Sequence, residues 1–364
     1  MMRIRYLLAT MALLGGLSPE ARAQNVPAVM PDAEPVLADT LNSYIRPSYD
    51  ALASGFEVLE KATAELCETP SDVALSEARS AYGKSTLTWS RIEWFRTGPA
   101  MANNRLERIL FYPDRKSTGL KQVQRALGRE DVEVVSPDLL ASKSVAMQGL
   151  GAYEFLVFGK GSGALATDQA PFRCAFADSV ASNLITIAGE LQQGWEEGTP
   201  AATLFVKPAT DNPLFRDDTE ALNLVLGTMV HGLEAIRDIR IGSFLREPGM
   251  DRPKSAVYRR SGLTMDSIAA GLQGLEDLFN ASGIEQVLPE QDRDLADQVR
   301  FEFDQSIRTA QSLDGPLQDL LADETSRKRL AYLKLSIRFI IQRLNNEIAP
   351  AAGLVAGFSF GDGD

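Results

Sequence analysis

Histidine is nearly absent from this chain and cysteine is scarce: its 364 residues include one histidine, His231, and two cysteines, Cys67 and Cys174. A hydrolytic zinc centre needs several nitrogen, sulfur or oxygen ligands and an open coordination position, and no His-Glu-x-x-His arrangement occurs. A single histidine also restricts Ser-His or Cys-His nucleophilic pairing to one possibility. The cysteines are too far apart for a metal knuckle. No polybasic tract is present, and the net charge of −12 with a pI near 4.8 argues against nucleic acid, whose phosphates require clustered cations. Beyond residue 23 no apolar run approaches the roughly 20 residues of a membrane-spanning helix. Mean hydropathy is −0.11, that of a water-soluble globule. Gly161-Ser162-Gly163 is followed by no Lys-Ser or Lys-Thr and follows no strand, so it is neither a P-loop nor a nucleophile elbow.

The first residues have the pattern of an export leader. Arg3 and Arg5 precede an apolar stretch from Leu7 to Leu17, and Ala21-Arg22-Ala23 supplies a small-x-small cleavage site. Cleavage after Ala23 would leave Gln24 as the mature N-terminus, with no cysteine there to carry a lipid, and the periplasm is the expected location. In that oxidising compartment Cys67 and Cys174 are expected to pair, closing a loop of about 100 residues worth up to about 4–5 kcal/mol in the chain-entropy model. Two buried free thiols are the other reading.

Apolar periodicity is helical along nearly the whole chain. From Ile45, residues Tyr49, Leu52, Phe56, Leu59, Ala62 and Leu66 recur at steps of three or four, which puts them on one face of a helix ending near Cys67. Ser71-Asp72 predicts the N-cap of a second helix, running through Ala78, Tyr82, Trp89 and Ile92 to Gly98-Pro99. A third is expected from Pro137 through Leu140, Ser144, Met147 and Leu150, and a fourth carries Phe176 to Trp195. Residues 199–216, with three prolines, read as a linker. Helices then resume at Leu222, Val225, Met229, Leu233 and Ile236, and again over about 262–281, 291–313 and 317–347. Strand signals are thin, at 132–135 and 204–206.

The expected fold is therefore all-α, two four-helix-like bundles packed together. The leader occupies 1–23, a flexible segment 24–38, the first bundle 39–198, the second 217–350 and a frayed tail 351–364. A short echo between Gly149–Glu154 and Gly232–Arg237, each placed late in its expected helix, suggests internal duplication.

Taken in order, several features resemble the imelysin family. They are the leader, the two bundles, Pro47-Ser48-Tyr49, the Trp89 to Pro99 segment, Asn104-Arg105, Phe111-Tyr112-Pro113-Asp114, and the stretch from Gln148 to Gly159 at the place of the family signature. The resemblance implies a periplasmic protein associated with iron uptake and a family name that includes peptidase. It also implies a Gly-x-His-x-x-Glu signature, whose histidine and glutamate share one helical face and could hold a cation. Glu154 stands at the glutamate position and Gly151 at that of the histidine, so the resident-metal reading weakens: glycine supplies no ligand atom.

The site expected from these residues is an interdomain cleft around Glu154, with Gly149, Gly151, Arg96, Asn104, Arg105 and Asp114. Glu154 lies in an apolar setting and needs a partner if buried. Arg91, Arg96, Arg105 and Arg115 are the arginines considered for it, and a structural ion pair and a ligand site are both open. Asp114 is expected to cap a helix, with a place on the cleft rim as the other reading. His231 is a weak candidate to complete a split metal site with Glu154, for iron or another divalent ion. Arg259-Arg260-Ser261-Gly262 is expected to cap the helix that follows it.

The leading expectation is a non-enzymatic binding or accessory module linked to iron uptake, working with envelope proteins of that process. A metal-dependent peptidase using Glu154 and His231 and a purely protein-interacting module are the alternatives.

Overall fold

In the computed structural model residues 32–354 are described. The expected leader, most of the segment 24–38 and nearly all of the tail lie outside them. The described chain is helical with no β-strand, as the periodicity predicts. No helix in it is long and apolar enough to cross a membrane.

The first long helix begins earlier than its apolar pattern suggests. Glu34–Asp39 leads through a π-helical turn, Thr40–Ile45, into α1 (Arg46–Glu68), with Val36, Leu37, Leu41 and Tyr44 already buried. Tyr49, Leu52, Phe56, Leu59 and Leu66 then form the buried stripe of α1. The Ser71 side chain caps α2 (Asp72–Ile92) by accepting the Ala74 N–H at 3.1 Å, satisfying one orphan donor of the first turn.

The expected third helix is broken. Pro137–Ala141 ends after one turn, Val145–Met147 is 3-10, and α4 (Leu150–Phe158) starts afresh, following α3 (Thr118–Arg129) in chain order. Buried Gln148 causes the break: its amide nitrogen donates to the carbonyls of Lys143 at 2.6 Å and Ala141 at 3.2 Å, groups a continuous helix would use itself. The segment Gly149–Glu154 therefore opens a helix instead of closing one, whereas Gly232 and Leu233 fall in the last turn of their helix.

α5 (Pro171–Gly194) packs along α1, which also packs on α2. Cys67 at the end of α1 and Cys174 at the start of α5 form a disulfide, with Cα atoms 5.5 Å apart. Residues 199–216 contain the short helix Pro200–Val206, so the thin strand signal there is helical, and that at 132–135 is 3-10. Phe205 and Phe215 are buried in a chain of edge-on aromatic contacts with Trp195 and Phe95.

A second set of helices follows: α6 (Asp218–Glu234), α7 (Thr264–Ser282), α8 (Asp294–Gln311) and α9 (Glu324–Arg343). The expected helix over 317–347 divides at Asp323, whose carboxylate accepts the Ser326 N–H at 2.7 Å and starts α9 separately from Leu317–Ala322. α7 joins the two sets by packing on α2. Gly274 makes this possible, because a Cβ there would lie 2.0 Å from the Arg91 carbonyl oxygen. One continuous apolar core runs through both sets.

Candidate functional site

A cleft of about 690 Å³ opens between the two sets of helices, its walls formed by the 110–120 loop, the first turns of α4 and residues 238–260. The position of α4 determines its shape. Gly149 precedes α4 at a place where a Cβ would lie 2.2 Å from the Ile109 carbonyl oxygen, so only glycine lets the chain pass so close to the helix Arg105–Ile109. Arg108 donates to Gln148 Oε1 at 2.9 Å and to Asn183 Oδ1 at 3.0 Å, and Asn183 donates to the Gln148 carbonyl at 3.2 Å. At the other end Arg173 donates to the carbonyl of Leu156, a terminal acceptor of α4, at 2.8 Å and to that of Lys160 in the turn beyond it at 2.9 Å. The Tyr153 ring stacks on Tyr82 with centroids 5.4 Å apart, and its hydroxyl shares a 2.6 Å hydrogen bond with Thr63.

Glu154 projects from this fixed helix and is 3% exposed. Its Oε1 accepts the backbone N–H groups of Arg260 and Ser261 at 2.8 and 3.0 Å and the Ser261 hydroxyl at 3.0 Å. Its Oε2 lies 3.5 Å from an Arg260 guanidinium nitrogen, and that guanidinium also sits over the Phe155 ring, 5.5 Å from its centroid. A buried carboxylate needs this many donors to offset its lost hydration. The partner is thus none of the four arginines considered from sequence. It is the Arg259–Gly262 segment, in which no side chain caps α7. That segment turns through Tyr258 and Gly262, both at positive φ, and so points its N–H groups at Glu154.

The other sequence-derived residues separate into two groups. Gly149, Gly151, Asp114 and Glu154 line the cleft. Gly151 is exposed, and a Cβ added there would meet nothing within 4 Å. Asp114 caps α3: its carboxylate accepts the N–H groups of Thr118, Gly119 and Leu120 at 2.6, 3.0 and 3.4 Å, while also standing on the cleft wall. Arg96, Asn104, Arg105 and His231 are not among the lining residues. Arg105 is tied to Glu190 at 2.7 Å and to the Pro99 carbonyl at 2.8 Å. Asn104 is an exposed residue at positive φ just before the helix Arg105–Ile109, and exposed Arg96 bonds weakly to the Glu93 carbonyl at 3.4 Å. His231 lies in the last turn of α6.

The donor set does not fit a resident metal. Glu154 is engaged on both oxygens and Gly151 offers no side-chain atom. Among the described residues no three histidine, cysteine, aspartate or glutamate side chains gather as a cation site.

Beside the cleft, Glu93 and Arg240 form a buried ion pair across the two sets of helices. The Arg240 guanidinium lies over the Tyr112 ring at 4.6 Å and the Trp94 ring at 5.5 Å. Burial raises the Glu93 carboxyl above the ordinary carboxylate range, opposed by the charges of Arg240 and Arg96. Sequence reading missed this pair, because its members lie 147 residues apart and neither stands in a recognisable motif.

Two helical sets, with a cleft between them at whose base Glu154 is engaged by Arg260 and Ser261, define an all-helical architecture. A family model described as imelysin matches residues 45–344, and the chain belongs to that family. Its fold is similar to that of an imelysin-like protein from Psychrobacter arcticum 273-4, at 19% identity and a TM-score of 0.71, over 91% of this chain and 100% of that one. A putative iron-regulated protein A precursor from Parabacteroides distasonis ATCC 8503 is similar at 13% identity and a TM-score of 0.69, covering 86% and 95% of the two chains. No curated protein matches the sequence.

Proposed function

We propose that this imelysin-family protein is exported to the periplasm and serves iron acquisition there as a non-enzymatic binding or accessory module, its ligand held in the cleft between the two helical sets. The observation that carries this reading is the state of Glu154: the acid at the signature position is bound by Arg260 and Ser261, which leaves the cleft shaped but without a catalytic or metal-binding acid. Gly151, taken as the replacement for a family histidine, agrees with a site that has given up a metal ligand and kept its walls. The leader at 1–23 and the cysteine pair support export, and the iron-regulated name of one structural neighbour supports the link to iron.

The experiment is complementation. A deletion strain should grow poorly in chelator-treated, iron-poor medium, and the wild-type gene should restore growth. A variant altered in the cleft, Arg246→Glu with Lys254→Glu, should be secreted at normal levels yet fail to restore it. Absence of any iron-dependent defect, or equal rescue by both genes, would remove the proposal.

A role in protein contact has one observation in its favour. Tyr332, Leu335 and Phe339 are exposed along one side of α9, and Phe301 is exposed on α8, which packs against it. Such a face on paired helices is a common feature of protein-binding surfaces.

A further inference from the structure

The charge lining the cleft is opposite in sign to that of the whole protein. The chain carries a net charge of −12, yet Arg115, Arg246, Arg252, Lys254 and Arg259 all line this one hollow, and among the described residues none of their side chains makes an ion pair or hydrogen bond. The acids on the same walls are engaged elsewhere: Glu154 by Arg260 and Ser261, Asp114 by three backbone N–H groups of α3, and Asp238 by Arg237 at 2.5 Å. With Arg260 the lining holds six cations against these three acids, so the net charge of the cleft is positive.

We infer that the cleft binds a small polyanion, a molecule bearing two or more carboxylate or phosphate groups, with Arg246, Arg252, Lys254 and Arg259 as its principal counter-charges. This inference rests on the cleft being the binding site and adds the class of ligand. Like charges brought together on facing walls repel one another, and a multiply charged oxyanion relieves that repulsion while forming several charge-assisted hydrogen bonds. Arg259 is half-buried, and burial together with the neighbouring charge of Arg260 already lowers its guanidinium from the ordinary value. Two further donors border the same space. No side chain caps the first turn of α4 at Gly149 and Gly151, and Tyr258 on the inner wall has a buried hydroxyl without a hydrogen-bond partner. A volume of about 690 Å³ suits a small molecule and is too confined for a folded partner.

The surrounding acidic surface gives the cleft selectivity. Outside it the net negative charge repels extended polyanions such as nucleic acid, while at physiological salt that field fades over about 8 Å, so a compact anion reaches the arginines.

The test is calorimetric titration of the full mature protein at low ionic strength with citrate, pyrophosphate and acetate as probes. Citrate or pyrophosphate should bind at one site, and whichever binds more tightly separates the carboxylate from the phosphate arm. Acetate should not compete. The Arg252→Gln, Lys254→Gln protein, altered at two exposed side chains that hold nothing in the fold, should bind at least about tenfold more weakly, a change of about 1.4 kcal/mol. Arg125→Gln, an exposed change on α3 away from the cleft, should bind as the wild type does. No binding of either polyanion at about 1 mM, equal binding by the double variant, or displacement by acetate at similar concentration would overturn the inference. If the titration fails while the cleft variant still fails to complement growth, the ligand class falls and the cleft reading stands. If both fail, both fall.

Discussion

Glu154 Oε1 accepts the backbone N–H of Ser261 at 3.0 Å, joining α4 of the first helical set to the loop that leads into α7 of the second. With the Arg260 N–H at 2.8 Å on the same oxygen, the carboxylate acts as a clamp across the cleft base. Both of its oxygens face donors of the second helical set.

Removing the clamp should therefore cost stability in the metal-free protein. Glu154→Ala leaves two half-buried N–H groups and a guanidinium without their acceptor and should lower unfolding free energy by about 2–4 kcal/mol. Glu154→Gln keeps one acceptor oxygen and should lose less. Urea denaturation checks this, and an unchanged midpoint in the alanine protein would show that the carboxylate is not holding the loop.

The two glycines at the start of α4, Gly149 and Gly151, should respond in opposite ways. Gly149→Ala forces a Cβ against the Ile109 carbonyl and should destabilise by about 2 kcal/mol or more. Gly151→Ala enters open space and should leave stability within about 1 kcal/mol of wild type, on the favourable side. Thermal melts of the two proteins, measured together, report the contrast.

The Glu93–Arg240 pair carries a pH dependence whose sign follows from its burial. Because the Glu93 carboxyl is raised in the folded state, the native protein binds more protons than the unfolded one above the ordinary carboxylate range, and its contribution to stability falls as pH rises through that window. Arg240→Met strands the carboxylate and should cost about 3–5 kcal/mol at neutral pH. Much of that loss should return at acidic pH, because burial favours the protonated form of the unpaired Glu93. Equal losses at both pH values would contradict the burial argument.

Reduction of the Cys67–Cys174 bond, or a Cys67→Ser, Cys174→Ser double variant, should lower stability by up to about 4–5 kcal/mol, since the bond closes a loop of 107 residues. Melting with and without reductant gives the difference directly.

How much of this was legible beforehand depends on whether an interaction is local. The stripe Tyr49, Leu52, Phe56, Leu59 and Leu66 is set by helical period alone, and the Ser71 cap by its neighbours, so both stand where sequence puts them. The break before α4 is not local: Gln148 takes the carbonyls of Ala141 and Lys143 only because Arg108 and Asn183 hold its amide in place. The partner of Glu154 was hidden for the same reason. Two of its four hydrogen-bond donors are backbone N–H groups, which carry no residue signature, and they lie more than 100 positions away. The available clue was Arg259-Arg260-Ser261-Gly262, a turn-forming pair of cations read as a cap for its own helix. The cationic cleft lining was likewise scattered between Arg115 and Arg259 and masked by an acidic total.

Glu154 belongs to the architecture and not to a metal site, and metal stoichiometry tests this most directly. Wild-type protein dialysed to equilibrium against Zn²⁺, and separately against Fe²⁺ without oxygen, should retain well under one ion per chain, with no difference in the Glu154→Gln protein. One tightly held ion per chain that disappears in Glu154→Gln would contradict it.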